Sequence, residues 1–456
     1  MIFNKTIAAV STAHGKGGVA MIRISGSEAL DVAKRVFRLH TGEVVPRHIY
    51  YGEILRDGDI IDDGTLVYFK GPFSYTGEDV CEICCHGGLY STRAVLESVL
   101  SSGAQLAGAG EFTKRAYLNG KLTLSRAEAV SLVIDAKTEA QLKLSSSQAR
   151  GVLSHKIGQV REEMISLITR SYATIDYPDE DILDNTREEM ISSLRKIFDS
   201  VYSLKKSYKA GKAVSEGVKA AIIGKPNAGK SSVYNMLLGE SLAIVTDIAG
   251  TTRDVIEHTA SVGGVTLVLA DTAGIRDTDD TVEKIGVERA KERAEGAELL
   301  LCVFDLSSVE TEEDVFIFDC AKNKSAVAII NKSDAERKMS TDFEKRILDE
   351  FKNVVYVSAK TSDGFSELSS VIAKMYELGD IDISNDAIIS SARQFSSVSL
   401  ALDLITEAKN ALEYGETPDI VCFTLERALS ELDMIDARET SEELVNEIFS
   451  RFCVGK

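Results

Sequence analysis

Apolar and polar positions follow different rhythms along the chain, and the rhythm changes at about residue 120. Before that point, short apolar runs such as 19–24 and 64–69 are separated by clusters of Gly, Asp and Pro, a pattern typical of a small α+β domain. From Ser125 onward the pattern is helical. Spacings of four and three place five apolar residues on one helix face: Leu153, Ile157, Val160, Met164 and Leu167.

Strand-like and helical runs alternate between Val218 and about Leu378. Strict alternation of this kind predicts a parallel sheet with both faces covered by helices. The five predicted strands are 219–223, 265–270, 299–304, 327–330 and 354–357. Helical patterns flank this region on both sides. Before it, the helical region that starts at Ser125 is interrupted by the acidic segment 176–181 and resumes at 187–212; after it, the pattern is helical from Asn385 to Phe452.

Two helical segments around an α/β segment predict either one helical domain with an insertion or two separate bundles. Insertion is favoured, because the last ~70 residues offer few amphipathic stretches with which to close a core of their own. The predicted domains are 1–120 (α+β), 121–214 (helical, first part), 215–380 (α/β) and 381–456 (helical, second part, with a C-terminal tail).

Composition is that of an acidic globular protein. The 456 residues carry a formal charge of −19, 44% are hydrophobic, and seven are cysteines. An odd number of scattered cysteines suits a reducing compartment, and we find neither a transmembrane run nor a signal peptide. We therefore expect a soluble, cytoplasmic protein. Because polyanions need a basic face, any nucleic acid would be bound through a local patch or through a partner.

A phosphate-binding motif begins the α/β segment. Residues 224–231 match G-x-x-x-x-G-K-[ST] and lie between a predicted strand and a predicted helix. In that context backbone N–H groups cradle phosphates, Lys230 neutralises the β and γ charges, and Ser231 can hold Mg²⁺. The pattern alone can also arise as an ordinary glycine-rich turn, so its weight depends on the motifs that follow.

Four further motifs lie beyond the phosphate-binding motif along the chain. Residues 271–274 (Asp-Thr-Ala-Gly) would reach Mg²⁺ through water and sense the γ-phosphate, and 250–252 would complete the metal shell. The Asp334 carboxylate can accept from both N1–H and the amine of guanine, which favours GTP over ATP. Residues 358–360 would close the base pocket.

The predicted GTP contacts are Asn227, Ala228, Gly229, Lys230, Ser231, Ser232, Thr246, Asp247, Ile248, Ala249, Gly250, Thr251, Thr252, Asp271, Thr272, Ala273, Gly274, Asn331, Lys332, Asp334, Ser358, Ala359 and Lys360. The predicted Mg²⁺ ligands among them are Ser231 and Thr252.

The catalytic group is less evident from the motifs. Ile275 stands where signalling GTPases carry a water-orienting glutamine. Arg253 and Arg276 are candidate arginine fingers, although each is expected to be a surface or salt-bridging residue. A monovalent cation held by Asn227 and by carbonyls of the 246–251 loop would neutralise the same charge.

Asn227, the segment 246–254 (Thr-Asp-Ile-Ala-Gly-Thr-Thr-Arg-Asp) and the tail 452–456 (Phe-Cys-Val-Gly-Lys) together resemble the tRNA-modification GTPase family MnmE, also called TrmE. The resemblance spans the whole chain. It implies a multidomain protein: an α+β folate-binding-like domain, a discontinuous α-helical domain and an inserted α/β P-loop GTPase domain. It also implies a K⁺ ion in the role of the arginine finger and a water-orienting glutamate at Glu283. The implied K⁺ ligands are Asn227, Thr246, Ile248 and Thr251.

The resemblance further implies a homodimer that binds formyl- or methylene-tetrahydrofolate between its N-terminal domains. The matching positions are Arg23, Glu82, Lys121 and Lys456. With the flavoprotein MnmG, as a heterotetramer or larger assembly, members add an aminomethyl or carboxymethylaminomethyl group to the wobble uridine of certain tRNAs. The catalytic candidates are Glu283, Cys453 and Lys230. A ribosome-assembly GTPase switch is the main alternative; proteins of that class usually carry a second G domain or a KH module. A nucleotide-gated scaffold is another alternative.

Three other patterns are weaker. The segment 15–20 fits a loose dinucleotide fingerprint, but the next residues predict a strand where a helix is required, so we expect a flexible loop beside the folate site. Cys81, Cys84, Cys85 and His86 have partly metal-like spacing, yet a buried strand is the favoured interpretation. The last four residues have the length of a prenylation motif without its composition.

Overall fold

The computed structural model describes residues 5–40, 42–176, 186–240, 258–269, 294–436, 442–450 and 452–455. Contacts divide the chain into two compact units. Unit 1 consists of Met1–Ser131 and Asp433–Lys456, and unit 2 consists of Leu132–Leu432. No helix within the described ranges is long and apolar enough to cross a membrane.

Unit 1 contains a seven-stranded sheet. Its strands are β1 (Ile7–Val10), β2 (Val19–Ser25), β3 (Phe37–Leu39), β4 (Ile49–Arg56), β5 (Asp59–Phe69), β6 (Val80–His86) and β7 (Gln105–Leu106). The order is β3-β4-β5-β6-β2-β1-β7, and the neighbours are antiparallel except for the pair of β1 and β7. Its helices are α1 (Ala29–Val36), α2 (Leu89–Ser101), α3 (Glu111–Leu118) and α14 (Glu442–Ser450). The α+β pattern expected for the N-terminal region is therefore confirmed.

Alternation along β2 explains how this sheet is covered. Ala20, Ile22 and Ile24 are buried in a core that includes residues of α1 and α2, whereas Met21 and Arg23 point to the other face. The second face is therefore the one that can carry polar chemistry. The predicted strand over 19–24 is confirmed.

The C-terminal part of unit 1 packs on residues that follow α3. Helix α4 (Leu124–Asp135) contributes Leu124 and Ala127 to a small core with Val445, Phe449 and Phe452. Phe449 and Phe452 lie with their ring centroids 5.1 Å apart. Apolar residues near the end of the chain are thus buried in unit 1.

The helices of unit 2 are long, and side-chain caps mark where several begin. They are α5 (Glu139–Arg150), α6 (Val152–Asp176), α7 (Arg187–Ser215), α12 (Ala392–Tyr414) and α13 (Pro418–Asp436), the last of which continues into unit 1. Capping boxes begin α5 at Thr138, α7 at Thr186 and α12 at Ser391. All five residues of the predicted apolar stripe on α6 are buried, so that prediction is confirmed.

The helical segments on either side of the α/β segment contact each other. The rings of Tyr208 on α7 and Phe395 on α12 stack with centroids 4.2 Å apart, and Arg195 pairs with Glu413 at 3.5 Å. Gly211 on α7 lies so close to the Ile389 carbonyl that a Cβ would come within 2.0 Å of that oxygen. The close approach of the backbones is therefore possible only without a side chain at this position.

The α/β part of unit 2 has a six-stranded sheet of order β13-β12-β11-β8-β10-β9. Its strands are β8 (Val218–Ile223), β9 (His258–Val262), β10 (Val265–Leu269), β11 (Leu299–Asp305), β12 (Ser325–Asn331) and β13 (Val354–Tyr356). Its helices are α8 (Lys230–Glu240), α9 (Glu312–Ala321), α10 (Thr341–Glu350) and α11 (Phe365–Met375). The five predicted strands are confirmed to within a few residues.

The expectation of a purely parallel sheet is wrong at one edge. Strand β9 pairs antiparallel with β10 through a turn at Gly263 and Gly264, which have φ values of +60° and +82°. The other neighbours are parallel. The sequence of β9, His-Thr-Ala-Ser-Val, is too polar to predict a strand alone, and only Ala260 and Val262 are buried.

Candidate functional site

The phosphate loop connects β8 to α8, as predicted. Asn227 and Gly229 have φ values of +57° and +92°, so two left-handed residues turn the chain between strand and helix. Lys230 Nζ donates to the carbonyls of Gly224 at 2.9 Å and Lys225 at 2.8 Å. The lysine ammonium is thus held against the loop that would surround the phosphates.

Ser231 and Ser232 lie in the first turn of α8, and both are exposed. The N-terminus of a helix carries unsatisfied N–H groups and partial positive charge. Hydroxyl groups at this end of the helix are therefore placed where an anion and its Mg²⁺ would lie.

Both glycines of the phosphate loop are required by close contacts. A Cβ on Gly224 would lie 2.5 Å from the Val303 carbonyl oxygen of β11. A Cβ on Gly229 would lie 2.1 Å from Asn331 Nδ2. The loop therefore lies against the neighbouring strand and against the predicted guanine-recognition motif.

The guanine-recognition motif begins at the end of β12. Asn331 is buried; its Nδ2 donates to the Ala228 carbonyl at 2.9 Å, and its Oδ1 accepts from the Ala359 N–H at 3.1 Å. Lys332 adopts φ +63° and its Nζ contacts Asp305 Oδ2 at 2.7 Å. Both side chains thus shape the site.

Asp334 is the residue predicted to contact the guanine base. Its side chain is exposed, and Oδ1 accepts from the Ser358 hydroxyl at 2.7 Å. This hydrogen bond lowers the pKa of the Asp334 carboxyl, with a smaller contribution from Lys360. Ser358 is fully buried. The carboxylate is therefore ionised at neutral pH and oriented by the segment predicted to close the base pocket.

An open cavity of about 330 Å³ lies beside these residues, lined by Ser232, Asn235, Met236, Gly239, Ala359 and Ser362. It lies between α8 and the segment after β13. Space for part of a ligand therefore exists next to residues from both the phosphate motif and the base motif.

Sequence reasoning missed three polar residues that support this site. Lys225, the second residue of the phosphate motif, makes a buried ion pair with Asp314 at 2.8 Å. Asp305 holds Lys332 and also accepts from Ser307. Partial burial raises the pKa of the Asp305 carboxyl, but the bonds from Lys332 and Ser307 outweigh it and lower the pKa overall. The motif leaves position 225 open, and nothing in the sequence marks its distant partner.

Several predicted residues lie outside the described parts of the chain. They are Thr246, Asp247, Ile248, Ala249, Gly250, Thr251, Thr252, Asp271, Thr272, Ala273, Gly274, Glu283 and Lys456, together with Arg253, Ile275 and Arg276.

In unit 1, Arg23 and Glu82 face each other on neighbouring strands β2 and β6 and form an ion pair at 2.9 Å. The guanidinium also lies over the rings of Tyr75 and Phe112, at 5.4 and 5.7 Å from their centroids. Both charges are mostly buried, with side-chain exposures of 15% and 22%. The pair therefore lies in a shallow, aromatic-walled part of the sheet face.

Lys121 contacts the same loop as Tyr75. Its Nζ donates to the Pro72 carbonyl at 2.9 Å, and its Cγ approaches Gly77. Three of the predicted folate residues are thus arranged around the loop between β5 and β6.

The C-terminal tail lies on the β1 end of the same sheet. Val454 forms a bridge with Ala109, and the Cys453 carbonyl accepts from the Gly110 N–H at 3.3 Å. The Gly455 carbonyl accepts from the Ser11 hydroxyl at 2.9 Å. The Cys453 side chain is exposed, so its thiol is accessible.

The interpretation of the cysteine cluster as a buried strand is confirmed. Cys81, Cys84 and Cys85 lie in β6, and burial raises the pKa of the Cys81 thiol to about 12 and of the Cys85 thiol to about 11. Protonated thiols are poor metal ligands. His86 instead contacts Asp62 at 2.6 Å.

The residues after the 15–18 loop form β2, as predicted, so the dinucleotide fingerprint lacks the helix that it needs. The Gly17 N–H donates to the Gly87 carbonyl at 2.9 Å. This loop is thus connected to β6 and not to a nucleotide-binding helix.

Comparison with known proteins gives matches over the whole chain. A family model described as "GTP-binding protein TrmE N-terminus" matches residues 6–121, and one described as "MnmE helical domain" matches residues 124–453. The chain is 41% identical to the tRNA modification GTPase MnmE of Clostridioides difficile and 39% identical to that of Thermoanaerobacter pseudethanolicus. Both alignments cover 100% of each chain. The G domain of the T. maritima FeoB iron transporter aligns with 35% of this chain and 98% of its own, at 24% identity and a TM-score of 0.26; this likeness is too low to support a conclusion.

Proposed function

Because the chain belongs to the MnmE family of tRNA modification GTPases, we propose that it is a K⁺-activated GTPase acting with the flavoprotein MnmG and a tetrahydrofolate on the wobble uridine of certain tRNAs. GTP hydrolysis in tRNA modification is the activity of the family. The observation that carries the GTP site is the pair of hydrogen bonds by which Asn331 joins the phosphate loop to the base-recognition segment.

GTP would bind between the N-terminus of α8 and Asp334. The first turn of α8 and Lys230 would contact the phosphates, since Lys230 is already held beside the loop. Asp334 would accept the two guanine donors, and Ser358 keeps its carboxylate oriented. Mg²⁺ would be held by Ser231 and by Thr252, with Glu283 orienting the attacking water.

The K⁺ proposal rests on Asn227 and on the family. A K⁺ ion would supply positive charge against the charge that develops between the β- and γ-phosphates. Asn227 is exposed, and its left-handed backbone lies within the phosphate loop itself. Hard cations take amide oxygens as ligands, so the Asn227 side-chain oxygen is the ligand that we propose from this loop. The other proposed ligands are Thr246, Ile248 and Thr251.

The folate proposal is supported by the chemistry of the Arg23–Glu82 pair. Arg23 Nε and Nη2 both contact Glu82 Oε1 at 2.9 Å, so Oε2 is the oxygen with which Glu82 would accept from a pterin ring. The rings of Tyr75 and Phe112 provide apolar walls, and Lys121 and Lys456 would contact the glutamate tail. Cys453, on the tail held by Ser11, is proposed to act near this site.

Exposed apolar residues support a homodimer through the same face of unit 1. The register places Ile49, Val67, Glu82 and Arg23 in one row across four strands, so they share a face. Ile49 is 74% exposed. Tyr51, two residues further along β4 and on the same face, is 60% exposed. A second copy would cover this face and would place the folate between two N-terminal domains.

We also propose four parts: an α+β domain (1–120), a helical domain in two parts (121–214 and 381–456) and an inserted GTPase domain (215–380). The packing of α7 against α12 supports the two-part helical domain, because the helices before and after the α/β segment share one interface.

GTP hydrolysis in KCl against NaCl at equal ionic strength tests the cation proposal. The wild type is expected to be at least about tenfold faster in KCl, by analogy with the loss of one charge-stabilising group, and Asn227→Ala should lose that difference. Asn323→Ala is the matched control, because Asn323 is also exposed and has φ +62° but lies far along the chain from the loop. Equal wild-type rates in both salts would overturn the proposal.

The modification proposal is tested in cells and with folate. Deletion of the gene should leave wobble uridines without the aminomethyl-type group, and unchanged tRNA would contradict the assignment. Equilibrium binding of 5-formyl-tetrahydrofolate should be lost in Glu82→Ala and kept in Glu53→Ala, which removes a carboxylate from another strand of the same sheet. Failure of the wild type to bind would remove the folate site.

A further inference from the structure

Lys225 and Asp314 form a buried ion pair directly beneath the phosphate loop. Lys225 is 8% exposed and Asp314 is 2% exposed. Lys225 Nζ donates to Asp314 Oδ2 at 2.8 Å and to the Val309 carbonyl at 2.9 Å. The ammonium therefore joins the phosphate loop to the segment between β11 and α9.

Asp314 is itself fixed from the opposite side. It occupies the third position of α9, where its Oδ2 accepts from the Thr311 N–H at 2.9 Å and from the Thr311 hydroxyl at 3.2 Å. Its Oδ1 is buried and makes no hydrogen bond among the described residues. Lys225 is thus the cation that compensates a carboxylate whose position the capping box has already set.

The backbone of Lys225 contacts the functional lysine. Lys230 Nζ donates to the Lys225 carbonyl at 2.8 Å and to that of Gly224 at 2.9 Å. The Ala228 N–H also donates to the Lys225 carbonyl, at 3.3 Å. One residue therefore anchors its side chain in α9 and its carbonyl in the phosphate loop.

The same segment supports the base motif at its other end. Asp305 begins the segment and contacts Lys332 at 2.7 Å. Glu310 accepts from the Ser340 hydroxyl at 2.6 Å, just after the base motif. The segment 305–314 thus connects the phosphate loop with the base-recognition loop.

We propose that Lys225 and Asp314 are a positioning pair for GTP, which fixes the phosphate loop and hence Lys230. A buried ion pair gives little net stability compared with a neutral pair of the same shape, whereas removal of one partner strands a buried charge. The pair nevertheless fixes the position of the phosphate loop relative to α9. The pair should therefore be more important for nucleotide binding than for folding.

Three variants of the full chain separate these effects, with a fluorescent GTP analogue as the probe. Lys225→Met should lower the melting temperature, because Asp314 keeps an unpaired charge. The double variant Lys225→Met with Asp314→Asn removes both charges and keeps the cap oxygen, so its melting temperature should recover. Its affinity for the analogue should stay at least about tenfold weaker than that of the wild type. Lys225→Arg keeps a cation at this position and should keep most of the wild-type affinity for the analogue.

Arg346→Met is the matched control. The Arg346 guanidinium lies 4.4 Å from the ring centroid of Phe318 on α9, so this change perturbs the same helix without touching the phosphate loop. Wild-type affinity in the double variant, or an equal loss in the Arg346 variant, would overturn the proposal. Asp314→Asn alone strands the Lys225 ammonium and should lower both the melting temperature and the affinity; if the double variant fails to fold, wild-type affinity in this single variant would overturn the proposal. A wild type that binds no GTP would refute the GTPase assignment and not the pair.

Discussion

Asn331 binds the phosphate loop, because its side-chain amide donates to the Ala228 carbonyl at 2.9 Å. The other end of the amide accepts from Ala359, 28 residues further along the chain. A residue of the base motif thus connects the phosphate motif with the segment predicted to close the base pocket. Hydrogen bonds within the chain therefore hold the three motifs together, which would lower the ordering cost of binding a nucleotide.

Asn331→Ala should weaken binding of both GTP and GDP. The change leaves the Ala228 carbonyl and the Ala359 N–H without their partner, at a cost of about 1–3 kcal/mol for each buried group. Titration with fluorescent guanine nucleotides and denaturant unfolding would measure the two effects. Asn353→Ala is the control, because Asn353 precedes β13 whereas Ala359 follows it. This change should leave nucleotide affinity unchanged. Equal affinities in all three proteins would contradict the proposed role.

Gly229→Ala should abolish nucleotide binding. The added Cβ would lie 2.1 Å from Asn331 Nδ2 in a backbone with φ +92°, so the loop must shift and the Asn331 amide must move with it. Gly158→Ala in α6 is the control, since no atom of the described residues lies within 4 Å of its Cβ position and alanine favours a helix. Binding should be measured by calorimetry. Native affinity in the Gly229→Ala variant would show that the loop tolerates a different path.

The sequence predicted the parts of this protein that have a local signal. Three features have a spacing that helix, strand or loop geometry requires of neighbouring residues. They are the apolar stripe from Leu153 to Leu167, the strands of the α/β segment and the phosphate motif. Lys225 and Asp314 show none, because their partnership spans 89 positions and exists only after β8 and α9 are assembled. Strand β9 was missed for a related reason, since it is stabilised by pairing with β10 and not by its own composition.

His86 should titrate above its ordinary pKa. A hydrogen bond from the ring to Asp62, together with the charge of that carboxylate, raises the pKa of His86 from 6.5. A raised folded-state pKa contributes stability that is complete below the unfolded pKa and is lost as pH rises through the folded one. The contribution of this pair to the free energy of unfolding should therefore fall as pH rises above about 6.5.

NMR titration of the His86 ring measures this shift directly. The midpoint should lie above 6.5 in the wild type and should drop in Asp62→Asn, which removes the charge. His14→Ala deletes another exposed histidine and should leave the His86 midpoint unchanged. A wild-type midpoint at or below 6.5 would contradict the ion pair.

Gly455→Ala should release the C-terminal tail from the sheet of unit 1. Gly455 has φ +97°, and its Cβ would lie 2.1 Å from the Val10 carbonyl oxygen. The conformation alone costs about 1–2 kcal/mol for a residue with a side chain, and the clash adds to that cost. Hydrogen exchange of the Gly110 N–H, which donates to the Cys453 carbonyl, reports on docking and should accelerate.

Gly58→Ala is the control for backbone strain elsewhere in unit 1. Gly58 has φ +93°, and no atom of the described residues lies within 4 Å of its Cβ position, so alanine there introduces strain without a clash and should leave Gly110 exchange unchanged. Ser11→Ala, which removes one hydrogen bond to Gly455, should accelerate exchange by less than Gly455→Ala does. If Gly110 exchanges at the wild-type rate in Gly455→Ala, the tail is held by Phe452 in its apolar core and not by the Gly455 contact. Because Cys453 lies between these two anchors, the comparison also identifies which of them positions its thiol.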